Sequence, residues 1–228
     1  MNSYEPSGSD AVIEYPRHFP VTRAMPDGKS KANAPSKFDS IYVVDWLAAL
    51  ILFAISLPVL LLSALWVAIL DQGNPIFTQV RVGRNGRPFK IFKIRTMRHD
   101  HEGVTRFCAQ GDDRVLPGGH FLRRKRIDEL PQFLNVLLGD MALVGPRPEQ
   151  AGFVAMFRKA IPHYEERFKV KPGITGLAQI TQGYVDSLRG TKLKLKFDLI
   201  FIKKRSLGFW FYIVTNTVKV VIFGHGAR

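Results

Sequence analysis

Between Trp46 and Leu70 the chain runs WLAALILFAISLPVLLLSALWVAIL, without one charged residue. As an α-helix this stretch is long enough to cross a hydrocarbon core of roughly 30 Å. It also lacks the polar face that a helix on a soluble domain carries. A membrane segment is therefore expected, and the rest of the chain must fold against a bilayer. Pro58, near the middle, removes a backbone hydrogen bond, so a bend is expected there, with the Ser56 hydroxyl serving a freed carbonyl. Cations flank both ends: Lys29, Lys31 and Lys37 before, Arg81, Arg84, Arg87 and Lys90 after. Basic flanks stay on the cytoplasmic side. A re-entrant helix keeps both of them there, whereas a span exposes one. The reading is a kinked re-entrant helix over residues 41–72, with Asp45 at its boundary either pairing with a cation or solvated.

Residues 1–40 are rich in Ser, Pro, Gly and charge and have no apolar core of the signal-peptide kind, so a disordered tail is expected. Within the tail Arg17, Arg23, Lys29, Lys31 and Lys37 are matched by Glu5, Asp10, Glu14, Asp27 and Asp39. The formal charge of +14 therefore belongs to the remainder, which needs an anionic partner: nucleic acid, an acidic membrane or a phosphorylated substrate. The lone Cys108 excludes an internal disulfide and reads as a buried or incidental thiol.

Residues 73–228 read as one mixed soluble domain. Residues 75–97 alternate in a β pattern around the turn signal Arg84-Asn85-Gly86 and predict a hairpin. Gly111 to Gly119 reads as a polar loop. Leu130, Phe133, Leu134, Leu137 and Leu138 fall at helical spacing, and Gly139 suits the helix end. A second helix is expected from about Pro148 to Phe168, and Pro172-Gly173 and Gly176 mark turns. From Asp198 to Phe223 aromatics mix with Lys203, Lys204 and Arg205, as in helices lying among lipid headgroups or, equally, in a core helix. The fold class is α+β: an N-terminal kinked re-entrant helix, then a mostly helical catalytic domain with a small β-hairpin.

The chemistry concentrates in residues 122–149, LRRKRIDELPQFLNVLLGDMALVGPRPE. Asp128 and Glu129 follow the cations Arg123, Arg124, Lys125 and Arg126, a juxtaposition that lowers carboxylate pKa values and gathers phosphates. Asp128 stands where a helix N-cap belongs, with Pro131 in the first turn, and a helix N-terminus favours bound phosphate. A carboxylate beside a phosphate site can act as a nucleophile. An Asp-Glu pair alone reads more readily as a cap and a surface ion pair.

What decides between these readings is a longer pattern. It runs through Gln79, Arg81-Val82-Gly83, Phe92-Lys93-Ile94-Arg95-Thr96-Met97, Asp113-Arg114, Leu122-Arg123 and Asp128-Glu129-Leu130-Pro131-Gln132. It continues through Asn135-Val136, Gly139-Asp140-Met141, Val144-Gly145-Pro146-Arg147-Pro148 and Lys171-Pro172-Gly173-Ile174-Thr175-Gly176. The whole resembles the bacterial sugar transferases, monotopic phosphoglycosyl transferases that start glycan assembly on a polyprenyl phosphate, over roughly residues 41–224. The resemblance implies that Asp128 attacks the phosphate next to the sugar of a UDP-sugar, releasing UMP, and that undecaprenyl phosphate then takes the sugar phosphate from the enzyme. Glu129 is implied as the second catalytic carboxylate and Mg²⁺ as the ion, with Asp128 its protein ligand. Lys93, Arg123 and Arg147 are implied to grip phosphate oxygens, and Gln179 to line the substrate site. Asp198 matches a family aspartate. The compact, exopolysaccharide-initiating branch implies galactose or glucose as the sugar, inner-membrane lipids as surroundings and the cytoplasmic face as location, with a homodimer left open.

Departures from the family pattern accompany the match. Many relatives carry Gly-Arg after the last block, whereas this chain has Ile180-Thr181-Gln182-Gly183-Tyr184 and reaches Arg189-Gly190 later. Ser56-Leu57-Pro58 replaces an adjacent Ser-Pro, and no Lys-Arg precedes Asp45. Two rival readings make different forecasts. A membrane-bound nucleic-acid-binding protein requires salt-sensitive binding of DNA or RNA; no nucleic-acid partner is expected. A non-catalytic docking component of a polysaccharide assembly complex does not require the intact Asp128-Glu129 pair.

Overall fold

The computed structural model describes residues 40–71, 73–98, 114–182 and 187–223. The N-terminal tail, Cys108, Asp113, Gly183 and Tyr184 lie outside the described residues. Helix α1 (Ser40–Leu70) is one continuous helix of 31 residues, about 46 Å long at 1.5 Å per residue. Its sides are mostly apolar and uncovered: Ile55, Leu62 and Ile69 are 70%, 69% and 73% exposed. In water this surface is unfavourable. In a bilayer each such residue contributes about −0.3 to −0.6 kcal/mol.

The buried stripe of α1 is fastened to the domain at both ends. Ala49 joins the core of Ile91, Val136, Leu143, Trp210 and Ile213, while Leu60 and Val67 pack with Ile94, Leu116 and Leu122. Trp46 Nε1 donates to Leu137 O at 3.2 Å and Trp66 Nε1 to Pro117 O at 3.4 Å. Beyond the helix, Arg95 grips Asp71 through its carboxylate at 3.0 Å and its carbonyl at 2.7 Å.

Two details of the expected helix change. Asp45 does not face water: it is 1% exposed, and its Oδ1 accepts from Trp210 Nε1 at 2.8 Å and Leu143 N–H at 3.0 Å, while the charges of Arg205 and Lys171 act on it without a direct ion pair. The Ser56 hydroxyl donates to Phe53 O at 3.1 Å rather than to Ala54 O, the carbonyl that Pro58 leaves without its helical donor. A helical Ser reaches back three or four residues, and Ala54 is only two away.

Strands β1 (Ile76–Val82) and β2 (Pro88–Ile94) form the expected antiparallel hairpin. Its turn uses left-handed backbone at Asn85 (φ 56°) and Gly86 (φ 76°), which Asn and Gly tolerate best. The chain continues through α2 (Gly119–Arg124), a 3₁₀ turn at Ile127–Glu129 and α3 (Gln132–Leu137). Gly139, at φ 88°, ends α3 as its sequence position suggests. Strand β3 (Ala142–Val144) then pairs in parallel with β4 (Gly173–Thr175). The pairing demands Gly173, because a side chain there would strike the Gly145 backbone.

Between these strands the expected helix over 148–168 is shorter. Helix α4 covers Ala151–Ala160 and a 3₁₀ segment covers Tyr164–Lys169. His163, at φ 61°, interrupts them right after Pro162, which cannot continue an α-helix hydrogen bond. Helix α5 (Leu177–Thr181) leads to α6 (Leu188–Lys204) and α7 (Leu207–Phe223), separated at Arg205–Ser206. Helix α7 serves two roles, with Trp210 and Ile213 in the core and Phe211, Tyr212 and Val218 exposed.

Candidate active site

Asp128 and Glu129 lie in the short 3₁₀ turn, each 8% exposed. Their neighbours in sequence hold them there: Ile127 and Leu130 pack into the cluster beneath the second half of α1. Arg126 turns the chain with a left-handed φ of 58°, a conformation costing a non-glycine residue about 1–2 kcal/mol. The expected N-cap role of Asp128 is not realised. Pro131 occupies the N-cap position of α3 without a side-chain cap, and α3 has only six residues. Asp128, three positions ahead and inside a separate turn, does not reach the helix N–H groups.

Glu129 is saturated with cations. Lys93 Nζ lies 2.9 Å from its Oε1, Arg147 Nη2 2.5 Å from Oε1, Arg147 Nη1 3.4 Å from Oε2, and Arg126 3.8 Å from Oε2. Asp128 meets only the longer contact to Lys93, at 3.9 Å. Burial acts to raise the Glu129 carboxyl, but Arg147, Lys93 and Arg126 outweigh it and hold it well below the usual carboxylate range. Asp128 is pushed up to about 6, first by burial and then by the charge of Glu129, with Lys93, Arg147 and Arg123 opposing. The pair is thus divided into an acceptor committed to the protein and a buried carboxylate available for chemistry.

The cations are placed by the fold. Asn135 on α3 donates Nδ2 to Lys90 O at 2.7 Å and accepts from Phe92 N–H at 3.1 Å, which fixes β2 and so presents Lys93. Arg147 sits between Pro146 and Pro148 just beyond β3. Its carbonyl accepts from Arg167 Nη2 at 2.9 Å, and that of Pro148 accepts from Arg81 Nη1 at 3.2 Å. Arg167 in turn lies 2.9 Å from Asp198 Oδ2 and donates to Tyr164 OH at 2.6 Å. Glu149, paired with Lys194 and 3.8 Å from Arg167, has its carboxyl lowered to about 2: burial alone would raise it, and Lys194 and Arg167 prevail.

Of the residues singled out from sequence, Lys93, Asp128, Glu129 and Arg147 come together, and Arg123 is close enough for its charge to act on Asp128. Gln179 is placed differently: its Nε2 donates to Ile174 O at 2.8 Å within the β4–α5 turn. Arg189 is exposed on the first turn of α6. Sequence reasoning passed over Arg167. Its setting, YEERFK, reads as solvated charge, and only its burial against Asp198 reveals it.

Among the described residues no group of three or more His, Cys, Asp or Glu gathers as a metal cage. The donor set nonetheless fits Mg²⁺, which commonly binds through one or two carboxylates, completing its shell with water and substrate phosphates. Glu129 is occupied by Arg147 and Lys93; Asp128 is the carboxylate such an ion would use. The nearby cations make a phosphate-accompanied ion a better fit than a lone one.

The raised Asp128 carboxyl has a measurable consequence in metal-free protein. A folded-state value above the ordinary 3.8 means that the stability contributed by the neutral form is present below about 3.8 and lost as pH rises through about 6. In the presence of chelator, Asp128→Asn should therefore match the wild-type thermal midpoint near pH 4 and exceed it above pH 7. A gap that stays constant with pH would contradict the assignment.

The chain matches the bacterial sugar transferase family over residues 40–224. It is 42% identical over 186 residues to a UDP-N-acetylgalactosamine-undecaprenyl-phosphate N-acetylgalactosaminephosphotransferase of Aeromonas hydrophila, covering 81% of this chain and 44% of the relative. To a UDP-glucose:undecaprenyl-phosphate glucose-1-phosphate transferase of Escherichia coli K12 it is 45% identical over 175 residues, covering 75% and 38%. The enzyme of the same name from Caulobacter vibrioides is 42% identical over 179 residues, with 77% and 67% covered. The chain thus spans less than half the length of the first two relatives and about two-thirds of the third.

Proposed function

Because the chain belongs to the bacterial sugar transferase family, we propose that it transfers a hexose 1-phosphate, of glucose or galactose, from a UDP-sugar to undecaprenyl phosphate and releases UMP. The observation that carries the reading is the unequal dyad: Glu129 is locked by Arg147 and Lys93, while Asp128 beside it is buried with only a 3.9 Å contact to Lys93 and the charges of Arg147 and Arg123 acting on it. In the first step an Asp128 oxygen attacks the phosphorus that bears the sugar. The bond from that phosphorus to the bridging oxygen breaks, and UMP leaves with the oxygen and the electron pair. The enzyme then holds a mixed carboxylic–phosphoric anhydride. In the second step a phosphate oxygen of the lipid attacks the same phosphorus, forming a diphosphate and returning the carboxylate.

Lys93, Arg123 and Arg147 act by electrostatics. They act where negative charge would build on the diphosphate oxygens and need little rearrangement, because β2 holds Lys93, α2 carries Arg123 and two prolines flank Arg147. Mg²⁺ bound through Asp128 would neutralise phosphate charge during transfer. Gln179, whose Nε2 holds the Ile174 carbonyl, is assigned a supporting part through the turn after β4.

Membrane topology belongs to the same proposal. Both ends of α1 are fastened to one domain, which supports a helix that enters and leaves the inner membrane on its cytoplasmic side, with residues 73–228 forming the catalytic domain there. In intact cells an external, membrane-impermeant maleimide should modify neither Ser3→Cys nor Ala227→Cys, each in a Cys108→Ser background. Labelling of Ser3→Cys alone would establish a span.

The reaction is tested by incubating purified enzyme and undecaprenyl phosphate with a panel of UDP-hexoses and UDP-N-acetylhexosamines and measuring UMP. One hexose donor should dominate. Preference for an N-acetylhexosamine would overturn the choice of sugar, and no UMP from any donor would overturn the reaction.

A further inference from the structure

Three cations from separate parts of the chain converge on one aromatic ring. Arg84 in the hairpin turn, Lys171 ahead of β4 and Arg205 between α6 and α7 lie 5.9, 4.8 and 4.2 Å from the centre of the Tyr42 ring. The ring is fixed, because the Tyr42 hydroxyl accepts from the Lys171 backbone N–H at 3.1 Å. Cation–π attraction favours each contact, yet three like charges around one ring repel. Asp45 and Asp140 are the carboxylates acting on Lys171, while burial and the charges of Arg84 and Arg205 work the other way and prevail, so its ammonium is depressed. An incoming anion would relieve this arrangement.

Position in the fold says which anion. Tyr42 lies in the first turn of α1, just before its exposed apolar surface begins at Val43 and continues through Trp46 and Leu47. Lys203 and Lys204, both exposed at the end of α6, precede Arg205. The cluster therefore stands at the depth of the lipid headgroups. Along the hairpin it lies away from Lys93, which faces Phe77 near the open end, whereas Val82 pairs with Pro88 beside the turn, about 20 Å along β2 and the turn at 3.3 Å per residue. On its other side Lys171 adjoins Gly145 and so the segment that carries Arg147.

We propose that Tyr42, Arg84, Lys171 and Arg205 form a docking site for the phosphate of an acidic phospholipid headgroup. The site rests on α1 lying in a bilayer and is independent of the chemistry at Asp128. Phosphatidylglycerol presents the required net negative charge to the cluster; phosphatidylcholine cancels it with its own cation. A juxtamembrane cation strengthens binding to acidic lipid about five-fold, so loss of two should weaken it about twenty-five-fold.

The test uses the full-length protein in dodecyl maltoside micelles, with retained phosphatidylglycerol or phosphatidylcholine quantified after gel filtration. Wild type should retain phosphatidylglycerol preferentially. Arg84→Gln/Lys171→Gln should lose that preference while still releasing UMP at the wild-type rate in detergent, and Arg84→Lys/Lys171→Arg should keep it. Equal retention by wild type and the Gln double variant would overturn the proposal. Displacement of phosphatidylglycerol by inorganic phosphate or UMP would reassign the site to a soluble anion, which also overturns it. Loss of UMP release together with lipid retention would make the cluster part of the substrate site, with the same consequence.

Discussion

Asp128→Asn should reduce UMP release by at least about 10³-fold, the scale on which removal of a covalent nucleophile acts. Asn matches the carboxylate in shape, so the turn, the Ile127 and Leu130 packing and the attachment of α1 remain. What disappears is the oxygen nucleophile, because a neutral amide does not form a stable anhydride with phosphorus. Intact-protein mass spectrometry of wild type mixed with donor alone should show an added hexose phosphate mapping to Asp128. The Asn variant should show none, yet should co-sediment with membranes as wild type does. Its thermal midpoint at neutral pH should not fall, since the substitution removes a buried charge held beside Glu129. Normal turnover by this variant would remove the covalent route, and a lowered midpoint would show that Asp128 has a structural role instead.

Asp198→Ala should cause a comparably large effect of another kind. Asp198 and Arg167 are 2% and 3% exposed and 2.9 Å apart. Removing the carboxylate leaves a guanidinium buried beside only Glu149, which is already shared with Lys194. Breaking one side of such a pair costs about 3–5 kcal/mol, a fall in thermal midpoint on the order of 10 °C for a domain of this size. Activity should fall too, because the same guanidinium group holds the Arg147 carbonyl and thereby the fork on Glu129. Asp198→Asn keeps a hydrogen-bond acceptor and should recover part of both losses. If the Ala variant keeps its midpoint, the buried ion pair is not what anchors the Pro146-Arg147-Pro148 segment.

Features carried by local chemistry could be read from the sequence. The hairpin follows from alternation around Arg84-Asn85-Gly86, α1 from its uninterrupted apolar run, and the end of α3 from Gly139. The dyad and three of its cations were likewise legible, through motifs that keep them together. Features set by distant partners were not. Strands β3 and β4, with only three residues each, are too short for any periodicity to declare, and their parallel pairing depends on glycine backbone meeting across the chain. Asp45 looked like a boundary charge because its partners, Trp210 and the Leu143 N–H, are remote. Arg167 carries no mark in the sequence for the same reason. Even Asp128 was misread locally, as a cap, since the sequence does not announce that a 3₁₀ turn intervenes before α3.

The indoles of Trp46 and Trp66 bind opposite parts of the apolar helix to the domain. A body moored at two points cannot swing on its anchor like a tethered float, so the reacting carboxylate rides at one set altitude above the lipid tails. In the proposed reaction the lipid acceptor would approach by sliding within a sheet, while the nucleotide donor would arrive through open volume. The order in which the two substrates bind becomes a matter of which of these journeys is shorter.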